Sequence, residues 1–196
     1  MERRGLWYLA LERFNLGNVA GITEKFDINL EKDPNQPPVP RRVRTSVKRG
    51  FLVDITTMRL DEVEDNILNA GFDKNLFKSA QVIAQEEFAR KNCIISFRHV
   101  QDDEFTIDVC TDPVTNTTVG AVDYIIMKKY LYVNAIAVLQ SVQGYGVGGV
   151  MLEKLKQICV VREKEMLLLA LSDVIPWYEK QGFVVSADYG GGLGLV

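Results

Sequence analysis

From residue 50 onward the hydrophobic positions repeat with the periods of regular secondary structure. Residues 51–58 are rich in β-branched and apolar side chains and predict a strand. Residues 60–70 read as a helix stopped by Gly71. Leu76, Phe77, Ala80, Ile83, Ala84 and Phe88 fall at helical spacing and predict a second amphipathic helix. Strands follow over 93–100, 105–111, 119–127 and 130–138, with a turn cluster at 112–117 and Lys128-Lys129 between the last two. After a glycine-rich loop, Val147, Val150, Met151, Leu155, Ile158 and Cys159 mark a helix, opposite Glu153, Lys154, Lys156 and Gln157. Residues 166–171 form a fully apolar strand. Ser172 or Asp173 is placed to cap a short helix with Pro176 in its first turn. That helix ends at Gly182, before a strand over 183–185. The class is α/β of the α+β kind.

Residues 1–49 lack this regularity. An apolar piece at 6–11 is followed by a polar stretch and by the proline-dense segment 33–40, which reads as a linker or an extended strap. Arg41, Arg42, Arg44, Lys48 and Arg49 then place five basic residues within ten positions. Such a run is either a solvated junction or a contact to phosphate or an acidic partner. The expected organisation is an N-terminal extension over 1–49 and one domain over 50–196.

Composition narrows the function classes. A chain of 196 residues, 47% hydrophobic, suits one domain with an appendage. The formal net charge of −3 argues against a dedicated nucleic-acid binder, which carries a basic face. Cys93, Cys110 and Cys159 are odd in number and widely spaced, as expected of reduced, mostly buried thiols. With His99 the single histidine, no zinc or other metal site is expected. The apolar stretch after Met1-Glu2-Arg3-Arg4 is too short for a signal peptide, and no run is long enough for a membrane span. The expected compartment is cytoplasm or nucleus, with no membrane partner.

The glycine loop carries the candidate chemistry. Gly144, Gly146 and Gly149 satisfy G-x-G-x-x-G, but a dinucleotide fingerprint turns directly from strand to helix and opens a long series of βα units. Here residues 139–143 intervene, and fewer than fifty residues remain after the loop. A plain turn is the other alternative, yet a glycine inside a helix costs about 0.5–1 kcal/mol. Four glycines within six residues at a helix start therefore need a reason. Backbone N–H groups converging on an anion at a helix N-terminus supply one.

Gln143-Gly144-Tyr145-Gly146-Val147-Gly148 fits Gln/Arg-x-x-Gly-x-Gly/Ala, with Val138 ending the preceding strand five residues upstream. Trp177-Tyr178-Glu179-Lys180-Gln181-Gly182-Phe183 fits an aromatic-Tyr-x-Lys-x-Gly-Phe stretch after the next strand. In both, and in their order and distance, the chain resembles the GNAT superfamily of N-acetyltransferases over roughly residues 50–185. The resemblance implies a mixed, mostly antiparallel sheet flanked by helices and splayed at the strand that binds coenzyme A. It implies acetyl-CoA as cosubstrate. The backbone of Ile136, Ala137 and Val138 would pair with its pantetheine arm. The loop from Gln143 and Gly144 through Tyr145, Gly146, Val147, Gly148 and Gly149 would hold the pyrophosphate.

The same resemblance assigns catalytic roles. The N–H of Val138 would hold the developing oxyanion, a donor of a kind that contributes about 3–4 kcal/mol. Tyr178 would protonate the leaving thiolate. The glutamate base of the histone-acetylating branch falls on Tyr132 here, and no Glu lies between Tyr124 and Gln143. Asp123 and Asp173 are the substitutes the sequence offers, Asp173 with a second reading as a helix cap. The family's C-terminal hairpin has only residues 186–196 to form it, so its last strand is short, missing, or supplied by a partner in a homodimer. The acceptor is expected to be an amine: a protein lysine, a protein N-terminus or basic tail, or a small molecule. A CoA-binding interaction module without turnover is the alternative in another class.

Overall fold

Short turns set the frame of the sheet. Among residues 112–117, the Asp112 carboxylate accepts the Val114 N–H at 2.8 Å and the Thr115 hydroxyl at 3.0 Å, which closes one hairpin. The Met127 N–H donates to the Tyr130 carbonyl at 2.8 Å and closes the next. The computed structural model describes residues 6–11, 41–59, 73–93 and 104–185. In chain order these form β1 (Leu6–Leu11), β2 (Arg41–Ser46), β3 (Leu52–Arg59), α1 (Lys74–Ala89), β4 (Glu104–Thr111), β5 (Thr118–Ile126), β6 (Tyr130–Val138), α2 (Val147–Val161), β7 (Glu165–Leu171), α3 (Ile175–Glu179) and β8 (Val184–Val185). The predicted helix over 60–70 and, apart from Cys93, the predicted strand over 93–100 lie outside the described residues, as do the tail residues 186–196. Cys93 closes the turn after α1, its N–H donating to the Phe88 carbonyl at 2.9 Å.

The strands form one sheet in the order β2-β3-β4-β5-β6-β7-β1-β8. Every pairing is antiparallel except β6 with β7, which α2 connects by a crossover. Helices cover both faces. On one face α2 packs Val147, Val150, Met151, Leu155 and Ile158 against Val122, Tyr124, Leu131 and Val133. On the other, Ala80 of α1 meets Met58, Ile107, Val109 and Ala121. Central β5 is therefore buried almost throughout, as a strand covered on both faces must be.

Two local expectations are corrected. Lys154 and Gln157 do not belong to an exposed face of α2; both are buried. Lys154 falls three and four residues after Met151 and Val150, so helical geometry turns it inward. Its ammonium meets Asp108 Oδ1 at 2.6 Å and Thr57 Oγ1 at 2.5 Å. Nor does Ser172 or Asp173 cap α3 through its side chain. A single 3-10 turn, Ser172–Val174, leads into that helix, and the Asp173 carboxylate instead pairs with Lys91 Nζ at 3.0 Å.

The sheet also extends across position 49. β1 lies between β7 and β8, with Leu6 opposite Leu171 and Leu9 opposite both Leu168 and Val185. A strand of this same chain thus lines the free edge of β7. β2 pairs with β3 with Arg44 opposite Asp54, and Asp54 accepts Arg44 Nε at 2.7 Å and Arg42 Nε at 2.8 Å. An open sheet edge offers unpaired N–H and C=O groups, which any compatible extended segment can satisfy.

Candidate acyl-CoA site

One extra residue in β6 creates the gap on which the site depends. Asp123 faces Ala135 and Tyr124 faces Val133, so Asn134 is a bulge with no partner of its own across the strand pair. The parallel ladder between β6 and β7 runs only from Tyr130 to Val133, paired with residues 165–168, and stops at that bulge. Past it, residues 134–138 and 168–171 diverge and bound a cavity of about 780 Å³.

Antiparallel pairing fixes which backbone groups face the gap. The Leu139 N–H donates to the Val119 carbonyl directly opposite, and bonded and non-bonded pairs alternate along such a ladder. Ala137 therefore directs its N–H and C=O to Ala121 in β5, while Ile136 and Val138 direct theirs into the gap. Of the three residues expected to pair with a pantetheine arm, two turn backbone groups to the gap, although the Val138 carbonyl is already taken by the Gln143 side chain. Ala137 lines the cavity with its side chain only, packed on Ile83 and Ala84 of α1.

The glycine loop closes one end of the cavity. Gly144 and Gly146 have φ of 84° and 91°, a region nearly closed to residues with a Cβ. Gly148 leaves little room for a side chain: a Cβ there would stand 3.3 Å from the Trp177 ring and 3.5 Å from Val138. Gly146 is the N-cap of α2 and offers no side-chain cap. The N–H groups of Val147, Gly148 and Gly149 have no intrahelical partner, and the helix dipole adds positive potential there. All three residues line the cavity, as do Gln143, Gly144 and Gly146. Tyr145 does not. Its ring lies outward, 5.7 Å from Phe51 and 5.5 Å from the Arg49 guanidinium.

The remaining candidates separate by position. Tyr178 lines the cavity, packed edge-on against Trp177 and Phe183 at 4.7 and 5.5 Å between centroids. Burial raises its phenol well above the usual range, so it keeps its proton. Tyr132 lines the cavity as well. Asp173 and Asp123 do not. Asp123 lies behind the bulge, fully buried, its Oδ2 accepting Asn134 Nδ2 at 2.6 Å and its Oδ1 without a partner among the described residues. Burial pushes its carboxyl up to about 7, against the opposing hydrogen bond from Asn134.

Several wall residues gave no sequence signal. Glu87 accepts the Gln140 N–H at 3.1 Å and Gln143 Nε2 at 3.4 Å, tying α1 to the start of the loop. The same Gln143 Nε2 donates to the Val138 carbonyl at 3.0 Å. Glu87 lies on the cavity wall with Lys91, Cys93 and Asn134. An amphipathic helix pattern shows that Glu87 is off the core stripe, but not what it faces.

A strand gap that opens onto an uncapped helix N-terminus is the GNAT arrangement, and residues 102–185 match the acetyltransferase (GNAT) domain family. That match covers less than half of the chain. The GNAT fold is also that of known structures. An aminoglycoside acetyltransferase from an uncultured soil metagenomic sample shares 18% identity over 66% of this chain and 90% of that one, with a TM-score of 0.50. A protein from Novosphingobium aromaticivorans named for the GNAT family shares 11% identity over 93% of this chain and 60% of its own, also with a TM-score of 0.50. A conserved Staphylococcus epidermidis protein of unknown function shares 15% over 93% of this chain, at a TM-score of 0.48. This chain spans 57% of that protein's length. At these identities the first two likenesses concern the fold alone. No curated protein matches the chain. No helix among the described residues is long and apolar enough to cross a membrane.

Proposed function

We propose that the chain is an acetyl-CoA-dependent N-acetyltransferase acting by direct attack of an amine in a ternary complex. The observation that carries this reading is the Asn134 bulge, because it turns the backbone of Ile136 and the Val138 N–H into a gap beside the open amides of α2. The residues fit the cosubstrate. Strand-edge backbone suits the amide groups of a pantetheine arm, and uncapped helix amides suit a pyrophosphate. Acetyl-CoA supplies the activated acyl group.

The chain's own groups then divide the reaction. The Val138 N–H, facing the gap, stabilises negative charge on the thioester oxygen as the amine attacks. Tyr178, protonated and on the cavity wall, delivers a proton to the departing thiolate. A lysine-like amine has an ordinary pKa of about 10.4 and must lose a proton first. Asp123 and Asp173 lie off the wall, so the acceptor proposed for that proton is Glu87, directly or through water, with Tyr132 on the same wall. The acceptor class is an amine, either a small molecule or the lysine or N-terminus of a basic protein tail.

Calorimetric titration with acetyl-CoA, followed by an assay of thiol release with a panel of amines, tests this. Tyr178→Phe is expected to lower kcat by about 10²-fold or more while acetyl-CoA binding is kept. Absence of acetyl-CoA binding would sink the proposal. Binding with no turnover on any amine, and no thioester hydrolysis, would favour a CoA-sensing module of the same fold.

A further inference from the structure

Four residues of the basic run at 41–49 form two pairs with different partners. Arg42 and Arg44 grip Asp54 across the β2–β3 ladder. Lys48 and Arg49 sit in the loop of that hairpin, and the loop lies on the glycine loop. The Lys48 N–H donates to the Tyr145 carbonyl at 2.9 Å. A Cβ on Gly146 would stand 3.2 Å from Lys48 Cγ, so the lysine stem passes directly beside that glycine. Lys48 lines the same cavity as Gly144, Gly146, Gly148 and Gly149.

Arg49 anchors this approach. Its guanidinium carbon is 5.5 Å from the Tyr145 ring centroid, and Phe51 packs on the same ring. Its backbone is left-handed, with φ of 60° and ψ of 25°, a conformation that costs a non-glycine residue and that accumulates at ligand clamps. Neither Lys48 nor Arg49 pairs with a carboxylate among the described residues.

We propose that Lys48 is a phosphate-binding residue of the acyl-CoA site, held over the glycine loop by the β2–β3 hairpin so that its ammonium meets the pyrophosphate bound by the α2 amides. The proposal rests on the acyl-CoA reading of the cavity. Electrostatics gives it a reason. A helix N-terminus offers only about half a unit charge, whereas a pyrophosphate diester carries two negative charges. Glu87 adds a negative charge to the same wall, and the whole chain is net negative. A full cation on a flexible stem complements the amides, as lysine does in other phosphate sites.

The test titrates wild type, Lys48→Gln, Lys48→Arg and, as a surface-charge control, Lys128→Gln with three ligands: coenzyme A, pantetheine and inorganic pyrophosphate. Lys48→Gln is expected to weaken coenzyme A about tenfold and to flatten its salt dependence. Lys48→Arg should retain most of the affinity, and Lys128→Gln all of it. Pantetheine lacks the phosphates, so its affinity should stay the same in Lys48→Gln, which also shows that the cavity is intact. Equal coenzyme A affinity in wild type and Lys48→Gln overturns the proposal, and so does an equal loss for coenzyme A and pantetheine. Wild type that binds pyrophosphate through Lys48 but not coenzyme A would overturn the acyl-CoA reading and leave the anion site standing.

Discussion

Asn134 shows how much one residue decides here. As the extra residue of the bulge it ends the β6–β7 ladder, and its amide holds the buried Asp123 carboxylate at 2.6 Å. That carboxyl titrates near 7 instead of the ordinary 3.9 or so, because burial disfavours its charge. A carboxyl raised on folding binds its proton more tightly in the native state. Its contribution to stability is complete below pH about 4 and is lost as pH rises through 7. Asp123→Asn removes this term. The urea midpoint of wild type is expected to fall between pH 5 and pH 8 by more than that of Asp123→Asn, and parallel profiles would refute the assignment. The sequence named Asp123 as a candidate base and could not show that it lies behind the wall. Strand periodicity gives no warning of this bulge: the slip turns the buried side chains from the α2 face, at Leu131 and Val133, to the α1 face, at Ala137, and because both faces are covered the alternation of buried positions continues unbroken. Glu87 was equally silent, because its partners Gln140 and Gln143 lie more than fifty positions along the chain.

At the scale of the element, α2 carries two tasks that its sequence presents as one pattern. Its first turn is glycine-rich and uncapped, which was legible because left-handed positions and missing side chains leave a local signature. Its middle holds Lys154 against Asp108 and Thr57 in the core, which was not legible, because the partners come from β4 and β3. The charged pair is almost fully buried, and Asp108 Oδ2 has no partner among the described residues. Removing one member leaves an uncompensated charge, whereas replacing both can be nearly neutral. Asp108→Ala is expected to cost about 3–5 kcal/mol in chemical denaturation, and Asp108→Leu with Lys154→Met much less. A double replacement as harmful as the single one would mean that the pair itself stabilises the fold. The β2–β3 hairpin shows the same division. Its basic run was visible, but only the pairing of Arg44 with Asp54 and the contact of Lys48 with Tyr145 separate the structural cations from the one on the cavity.

At the scale of the whole molecule, the described strands form one sheet whose edge is completed from far along the chain. β1 and β7 pair across some 160 positions, and β8 then adds to β1. Leu9→Pro tests whether residues 1–49 belong to the folded unit, since a proline in an interior strand removes a ladder bond. The melting temperature is expected to fall by at least about 3 °C, the scale of a loss near 1 kcal/mol in a chain of this size. An unchanged melting curve would place β1 outside the cooperative unit. The sequence by itself determined the strand–loop–helix order, the positions of the glycines in the loop before α2 and the aromatic Tyr178 that follows. Each of these is encoded within a few neighbouring residues, through periodicity and backbone sterics. Only the tertiary structure decided that β6 parts from β7 at Asn134, that Asp123 and Asp173 lie off the wall while Glu87 lies on it, and that Lys48 reaches the loop. Those are relations between distant segments, fixed by sheet register and packing, and no local pattern of residues records them.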